Sequence, residues 1–258
     1  MAGRILLVAW ILMLLALAPG VAIADEAPIV RPMKGLADEG TFTYLREGEH
    51  AGSSTFLWNE DGSFESSSVI GNEEWSASTT TRIEVDEAGV WTVATVESHQ
   101  GLLVMERKGA NAELRYGAEE KKTFPLTPGT VIFEDMSPAL MRLAVQVYDA
   151  EAGGKQRVPV LFVPLATVQA SLERIEKLQQ DVAGETLTFR KYRYVLPPFY
   201  PVVFTVNEAD QVCTAVYPLQ NTIFVRSGYE ALLPVAGEAK RRPGGPAPVK
   251  VKPVPGED

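Results

Sequence analysis

Thr41 to Trp58 reads TFTYLREGEHAGSSTFLW, and this stretch decides the fold class. Phe42 and Tyr44 alternate with polar neighbours on one arm, Phe56 and Trp58 do so on the other, and Gly48 to Gly52 lie between them. Successive side chains of a strand point to opposite faces, so a period of two on both sides of a glycine-rich bend describes a hairpin with one apolar face. The rhythm continues outward through the turn NEDG (59–62), a strand around SFESSSVIG, the run WSASTTTRIEV, the turn DEAG (86–89) and VWTVATVES. LLVMERKGANAELRYG adds another hairpin, bending at Gly109 to Asn111. Turns at intervals of about ten residues are the mark of a meandering antiparallel sheet. Ser, Thr and Glu at alternate positions are expected on a face that meets water.

The strand rhythm breaks once, at SPALMRLAVQVYDAEAGG. Ser137 is the expected N-cap and Pro138 suits the first helical position. Leu140, Leu143, Ala144 and Val147 follow helical spacing, Met141 and Tyr148 widen the stripe, and Gly153 and Gly154 end it. Strands then resume in RVPVLFVPL, TVQASLERIEKL, ETLTFRKYRYVL, YPVVFTVNE and QVCTAVYP. In the second of these Leu172, Ile175 and Leu178 also fit a helix, and strand is the reading preferred here. The expected fold is mainly β (α+β): a curved antiparallel sheet or half-barrel, with one central helix packed on its concave face. Two small β-rich domains, one on each side of the helix, are the alternative.

The ends read differently. Residues 1–24 carry Arg4, an apolar core from Ile5 to Leu17, then Pro19, Gly20 and a small-x-small pattern at Ala22 and Ala24, the form of a secretory signal peptide. That core is shorter than the roughly 20 residues needed to cross a bilayer, so no membrane span is expected after cleavage. An exported protein, periplasmic or secreted, follows as the expectation. Residues 25–39 read as a linker, 40–234 as the β-rich domain, and 235–258, rich in Pro, Gly and Lys, as an extended tail. The formal net charge is −9, and loss of Arg4 with the leader takes it to −10, which argues against nucleic-acid binding.

Chemistry-bearing motifs are sparse. Cys213 is the single cysteine, so it cannot form an internal disulfide. It lies within QVCTAVY, where Val212, Thr214 and Val216 are expected on one face and Cys213, Ala215 and Tyr217 on the other. Nothing local would depress its pKa, so it reads as a small buried thiol. The two histidines, His50 and His99, each fall in an expected turn, without a nucleophile elbow nearby. No zinc-ligand spacing or phosphate-binding glycine loop occurs, so no metal and no cofactor is expected. The acidic pairs Glu73–Glu74 and Glu119–Glu120 read as solvated faces. YVLPPFYPVVF, from Tyr194 to Phe204, reads either as a greasy rim to a pocket or as a loop folded over the sheet end.

The GTFTY strand, the GEHAGSSTF hairpin, the DGSF turn, the SPALMRLAVQVYD helix, RVPVLF and the closing VNEADQVCTAVYP together resemble secreted bacterial β-rich domains related to the half-barrel lipoprotein carriers of the LolA and LolB type. That resemblance spans roughly Gly40 to Leu232. It implies a concave apolar face closed by a helix, with affinity for a lipid or other apolar ligand. Trp58, Trp91, Met141 and Phe199 are the expected ligand-lining residues, and no catalytic residue is expected. An accessory envelope protein that docks a protein partner through its tail (Ala239 to Asp258) is the alternative, and a hydrolase using His50 or His99 a more distant one.

Overall fold

The computed structural model describes residues 32–233 apart from 72–75, 117–119, 164–165 and 198–199. The expected leader and tail, Phe199, and the Glu73–Glu74 and Glu119 positions lie outside the described residues. The strands are β1 (Asp38–Arg46), β2 (Glu49–Trp58), β3 (Phe64–Gly71), β4 (Ser76–Val85), β5 (Trp91–Ser98), β6 (Gly101–Lys108), β7 (Asn111–Tyr116), β8 (Glu120–Pro125) and β9 (Val131–Phe133). A 3₁₀ turn (Pro138–Leu140) leads directly into the helix α1 (Met141–Val147). There follow β10 (Lys155–Phe162), β11 (Ala166–Val182), β12 (Glu185–Leu196), β13 (Tyr200–Val206), β14 (Val212–Tyr217) and β15 (Thr222–Arg226). The ambiguous run TVQASLERIEKL (167–178) therefore lies within a strand, β11.

All fifteen strands form one sheet, ordered β8 through β1, then β15 back through β9. The first and last strands pair antiparallel, Phe42 opposite Arg226, so the halves before and after the helix are joined in a single sheet. Arg226 reinforces that junction by gripping both carboxylate oxygens of Asp38 at 2.9 and 2.7 Å. Curvature follows from connectivity. A flat array of fifteen strands at ~4.8 Å spacing would be roughly 65 Å wide. Yet its edges, β8 and β9, are consecutive in the chain, and the residues from Pro125 to Val131 reach at most roughly 20 Å. The sheet must curl, and Thr167 at the start of β11 donates to Pro125 O (3.1 Å) at the end of β8. It stays unclosed: β9 is only three residues long and parallel to β10, and β8 carries Lys121, Lys122 and Pro125, which discourage further pairing.

The inner face holds the core, and the outer face carries cross-strand ion pairs, Arg82–Glu65 (3.0 Å), Lys191–Glu176 (2.7 Å) and Arg193–Glu173 (3.6 Å). That arrangement is the reverse of a lipid-facing barrel, whose outer band is apolar. No helix among the described residues is long and apolar enough to cross a membrane.

Several expectations need correction in detail. The first hairpin turns at Glu47 and Gly48, both at positive φ (55° and 90°), as a tight two-residue loop demands. The expected Gly48–Gly52 turn is thus mostly strand, and His50 lies on β2 opposite Leu45. Gly52 keeps a different role: at φ 146°, a Cβ there would sit 2.1 Å from Val69 O. The packed chain begins before the expected linker ends, because Met33 and Leu36 are buried in the core and Met33 N donates to Gly89 O at 2.6 Å. The helix stops at Val147, short of the glycines, and Met141 to Val145 are buried without interruption. A single apolar stripe therefore understates it. Its first five residues are enclosed, and Gln146 and Val147 at its end are partly exposed.

Candidate functional site

The four residues before the 3₁₀ turn, Glu134 to Ser137, form a polar plug pressed into the inner face of β2, β3 and β4. Its seat is a set of hydroxyls on that face: Ser54, Ser66, Ser68 and Thr81, all buried. Glu134, inside it, is 6% exposed. Ser68 Oγ lies 2.8 Å from both Met136 O and Ser54 Oγ, and Ser54 Oγ donates to the same carbonyl at 3.3 Å. Ser66 Oγ and Ser137 Oγ are 2.5 Å apart. Ser137 Oγ in turn donates to Glu134 Oε2 (2.8 Å), Thr81 Oγ1 approaches that oxygen at 3.5 Å, and Met136 N donates to Glu134 Oε1 (3.0 Å). From the other half of the sheet, Tyr217 donates its hydroxyl to Asp135 O (3.3 Å).

Ser137 thus fails to cap the helix by its side chain, because its hydroxyl is engaged with Glu134 and Ser66 instead. The serines were expected on the wet face. Parity places them otherwise: Ser66 and Ser68 share a face with Phe64 and Ile70, Ser54 with Phe56 and Trp58, and Thr81 with Ile83. That signal was present in the sequence, and small inward hydroxyls on an apolar face are a receptor for something polar. Glu134 had no such signal.

Burial of the Glu134 carboxyl raises its pKa to about 7, with the neighbouring Asp135 adding to the rise against the hydrogen bonds from Met136, Ser137 and Thr81. The site can therefore hold or release a proton near neutrality. Hydroxyls in a row can reverse their donor direction, so Ser137 can accept from the neutral carboxyl and pass its own proton on to Ser66.

Of the expected ligand-lining residues, Trp58 (1% exposed), Trp91 (0%) and Met141 (0%) are packed inside the core, and Phe199 lies outside the described residues. Trp91 borders the space beneath the helix together with Leu143 and Ile132, but that cavity measures about 10 Å³, enough for about one water. A shallow depression of about 270 Å³ lies elsewhere, between Leu187, Asn207 and Tyr229. The space beneath the helix is thus nearly filled by the described residues. The apolar half of the segment meets aromatic side chains: Tyr148 stands edge-on to Tyr192, Tyr192 stacks on Phe204, and Phe133 stands edge-on to Tyr194. Arg142 locks the helix to the rest of the chain, donating to Leu36 O (2.8 Å) and Ala209 O (3.1 Å).

Cys213 is buried, as expected, but not with Ala215 and Tyr217. A bulge opposite Thr205 and Val206 moves it to a separate cluster with Val182 and Phe189, against Tyr229 and Leu232. Burial pushes its thiol up to about 12, far from a thiolate nucleophile. His50 is exposed on β2 and His99 exposed in the β5–β6 turn.

No family model matches the chain, and no curated protein matches it. Among solved structures it is similar to a β-barrel-like protein of the domain of unknown function DUF1849 from Brucella abortus, with 10% identity and a TM-score of 0.48 over 73% of this chain and 93% of that one. A DUF1089 family protein from Pseudomonas aeruginosa is similar at 19% identity and a TM-score of 0.39, over 65% of this chain and 90% of that one. Neither is described as a lipoprotein carrier, so the resemblance to that group gains no support from them.

Proposed function

We propose that the protein is an exported, noncatalytic binder of an apolar ligand, such as an acyl chain, and that the ligand takes the place of α1 on the concave face. The observation that carries this reading is that one short segment, 133–148, covers the aromatic inner wall of β12 and β13 while its leading end rests on hydroxyls rather than on interlocked apolar side chains. Displacing it would uncover a trough that includes Trp91, Tyr192 and Phe204. Each square ångström of ligand then removed from water would contribute about 25 cal/mol. A second reading, a packed scaffold that acts through its outer surface, is favoured by the small volume of the interior cavity.

A lock separates the two. Ser66→Cys with Ser137→Cys places thiols where the hydroxyls touch, and a disulfide there would hold the segment down. Uptake of a fluorescent fatty acid should disappear on oxidation and return on reduction. Unchanged uptake in the oxidised protein, or no uptake in either form together with no lipid in solvent extracts of the native protein, would leave the scaffold reading in its place.

A further inference from the structure

We propose that Glu134 and its serine seat form a proton-operated latch: the neutral carboxyl holds residues 134–147 on the concave face, and loss of its proton to solvent releases them. The geometry is that of a latch because the carboxyl sits in a turn that touches both halves of the sheet. Its oxygens are engaged by Met136 N, Ser137 and Thr81, and the same turn reaches Ser54, Ser66 and Ser68 on one side and Tyr217 on the other. All of these contacts are polar ones within a mostly buried pocket, where a charge without a cation beside it is costly.

The hydrogen bonds from Met136, Ser137 and Thr81 offset part of that charge, but no cation among the described residues pairs with it. From its own turn the charged neighbour is Asp135, of like sign. From β2, β3 and β4 the facing groups are the hydroxyls of Ser54, Ser66, Ser68 and Thr81, and from β14 the phenol of Tyr217. From the helix the charged group is Arg142, whose guanidinium is turned to Leu36 O and Ala209 O. No ion pair among the described residues includes Glu134. An ionised Glu134 would reach water only by lifting the turn off its seat, and α1 follows the turn without a break. The latch supplies the displacement that the ligand reading needs, and rests on that reading for its purpose.

The direction is fixed by linkage. A released segment carries an ordinary glutamate, whereas the seated one keeps its proton to about pH 7. Opening is therefore least at low pH, becomes easier by up to about tenfold per pH unit between about 4.5 and 7, and levels off above. Hydrogen exchange of the full-length protein, corrected for the intrinsic pH dependence of amide exchange, should show this profile at the amides of 138–148. Glu134→Gln keeps the shape without the charge, and should flatten the profile and leave those amides protected at pH 8. A flat profile in the unaltered protein, or the same rise in the variant, would overturn the latch. If the variant does not fold, a carbon-13 titration of the Glu134 carboxyl decides: a midpoint near 7 supports the latch and one near 4.5 overturns it. Because exchange requires no ligand, failure to find a bound lipid would remove the ligand reading and leave the exchange profile standing.

Discussion

The inner face of this sheet is two different surfaces. Under β2 to β4 it presents Ser54, Ser66, Ser68 and Thr81, while under β12 to β14 it presents Tyr192, Tyr194, Phe204 and Tyr217. The same chain segment touches both, polar turn on hydroxyls and apolar flanks on rings. The contrast teaches where stability and adjustability reside. The aromatic wall gains from every apolar contact and has no charge to manage. The hydroxyl seat depends on each donor finding its acceptor, so its strength changes with a proton.

The sharpest way to break this contrast is to truncate the aromatic wall. Phe204→Ala should cost about 3–5 kcal/mol in denaturant unfolding, since Phe204 is fully buried and stacked on Tyr192. A loss below about 1 kcal/mol would mean that the wall does not carry the core. Next comes the proton. The neutral Glu134 is favoured by the folded state, so stability present below about pH 4.5 should be lost as pH rises to about 7, by at most about 3 kcal/mol. Urea midpoints measured from pH 4 to 8 test this, and Glu134→Gln should show a smaller decline over that range.

Hydroxyl deletions should then act with opposite signs on the two surfaces. Ser68→Ala removes a partner of the partly buried Met136 carbonyl and should destabilise by about 1–2 kcal/mol. Tyr194→Phe should instead stabilise by about 1 kcal/mol, because Tyr194 Oη is buried without a hydrogen-bond partner among the described residues. Thermal unfolding of both variants would show whether the signs differ. If both destabilise, the division of the inner face fails. The smallest effect is expected at Cys213, which belongs to neither surface. Its alkylation by iodoacetamide at pH 8 should be negligible until the protein unfolds, because burial holds the thiol at about 12; rapid native labelling would show that its cluster opens locally.

Much of this was legible before folding was considered. The alternation in Phe42, Tyr44, Phe56 and Trp58 carried the hairpin and its buried face, and the break at Pro138 located the helix. The seat was half legible. Ser66 and Ser68 declare themselves by sharing parity with Phe64 and Ile70, but composition alone made them look like surface residues. Parity also failed at Cys213, where one bulged residue exchanged the faces of the strand. Glu134 was not legible at all, because Thr81, which approaches it, and Ser66, which engages its neighbour Ser137, stand more than fifty residues away.

By itself, the sequence determined strand periodicity, the approximate spacing of turns, the helical interruption and the scarcity of catalytic motifs, because each of these is written in the spacing of neighbouring residues. Only the tertiary structure decided that the sheet curls until its consecutive edges face each other, that most of the helix is enclosed rather than laid on a surface, and that a lone carboxyl is sealed beneath serines. Those outcomes depend on which distant surfaces meet, and burial, the force that sets both the helix's environment and the acidity of Glu134, exists only once they do.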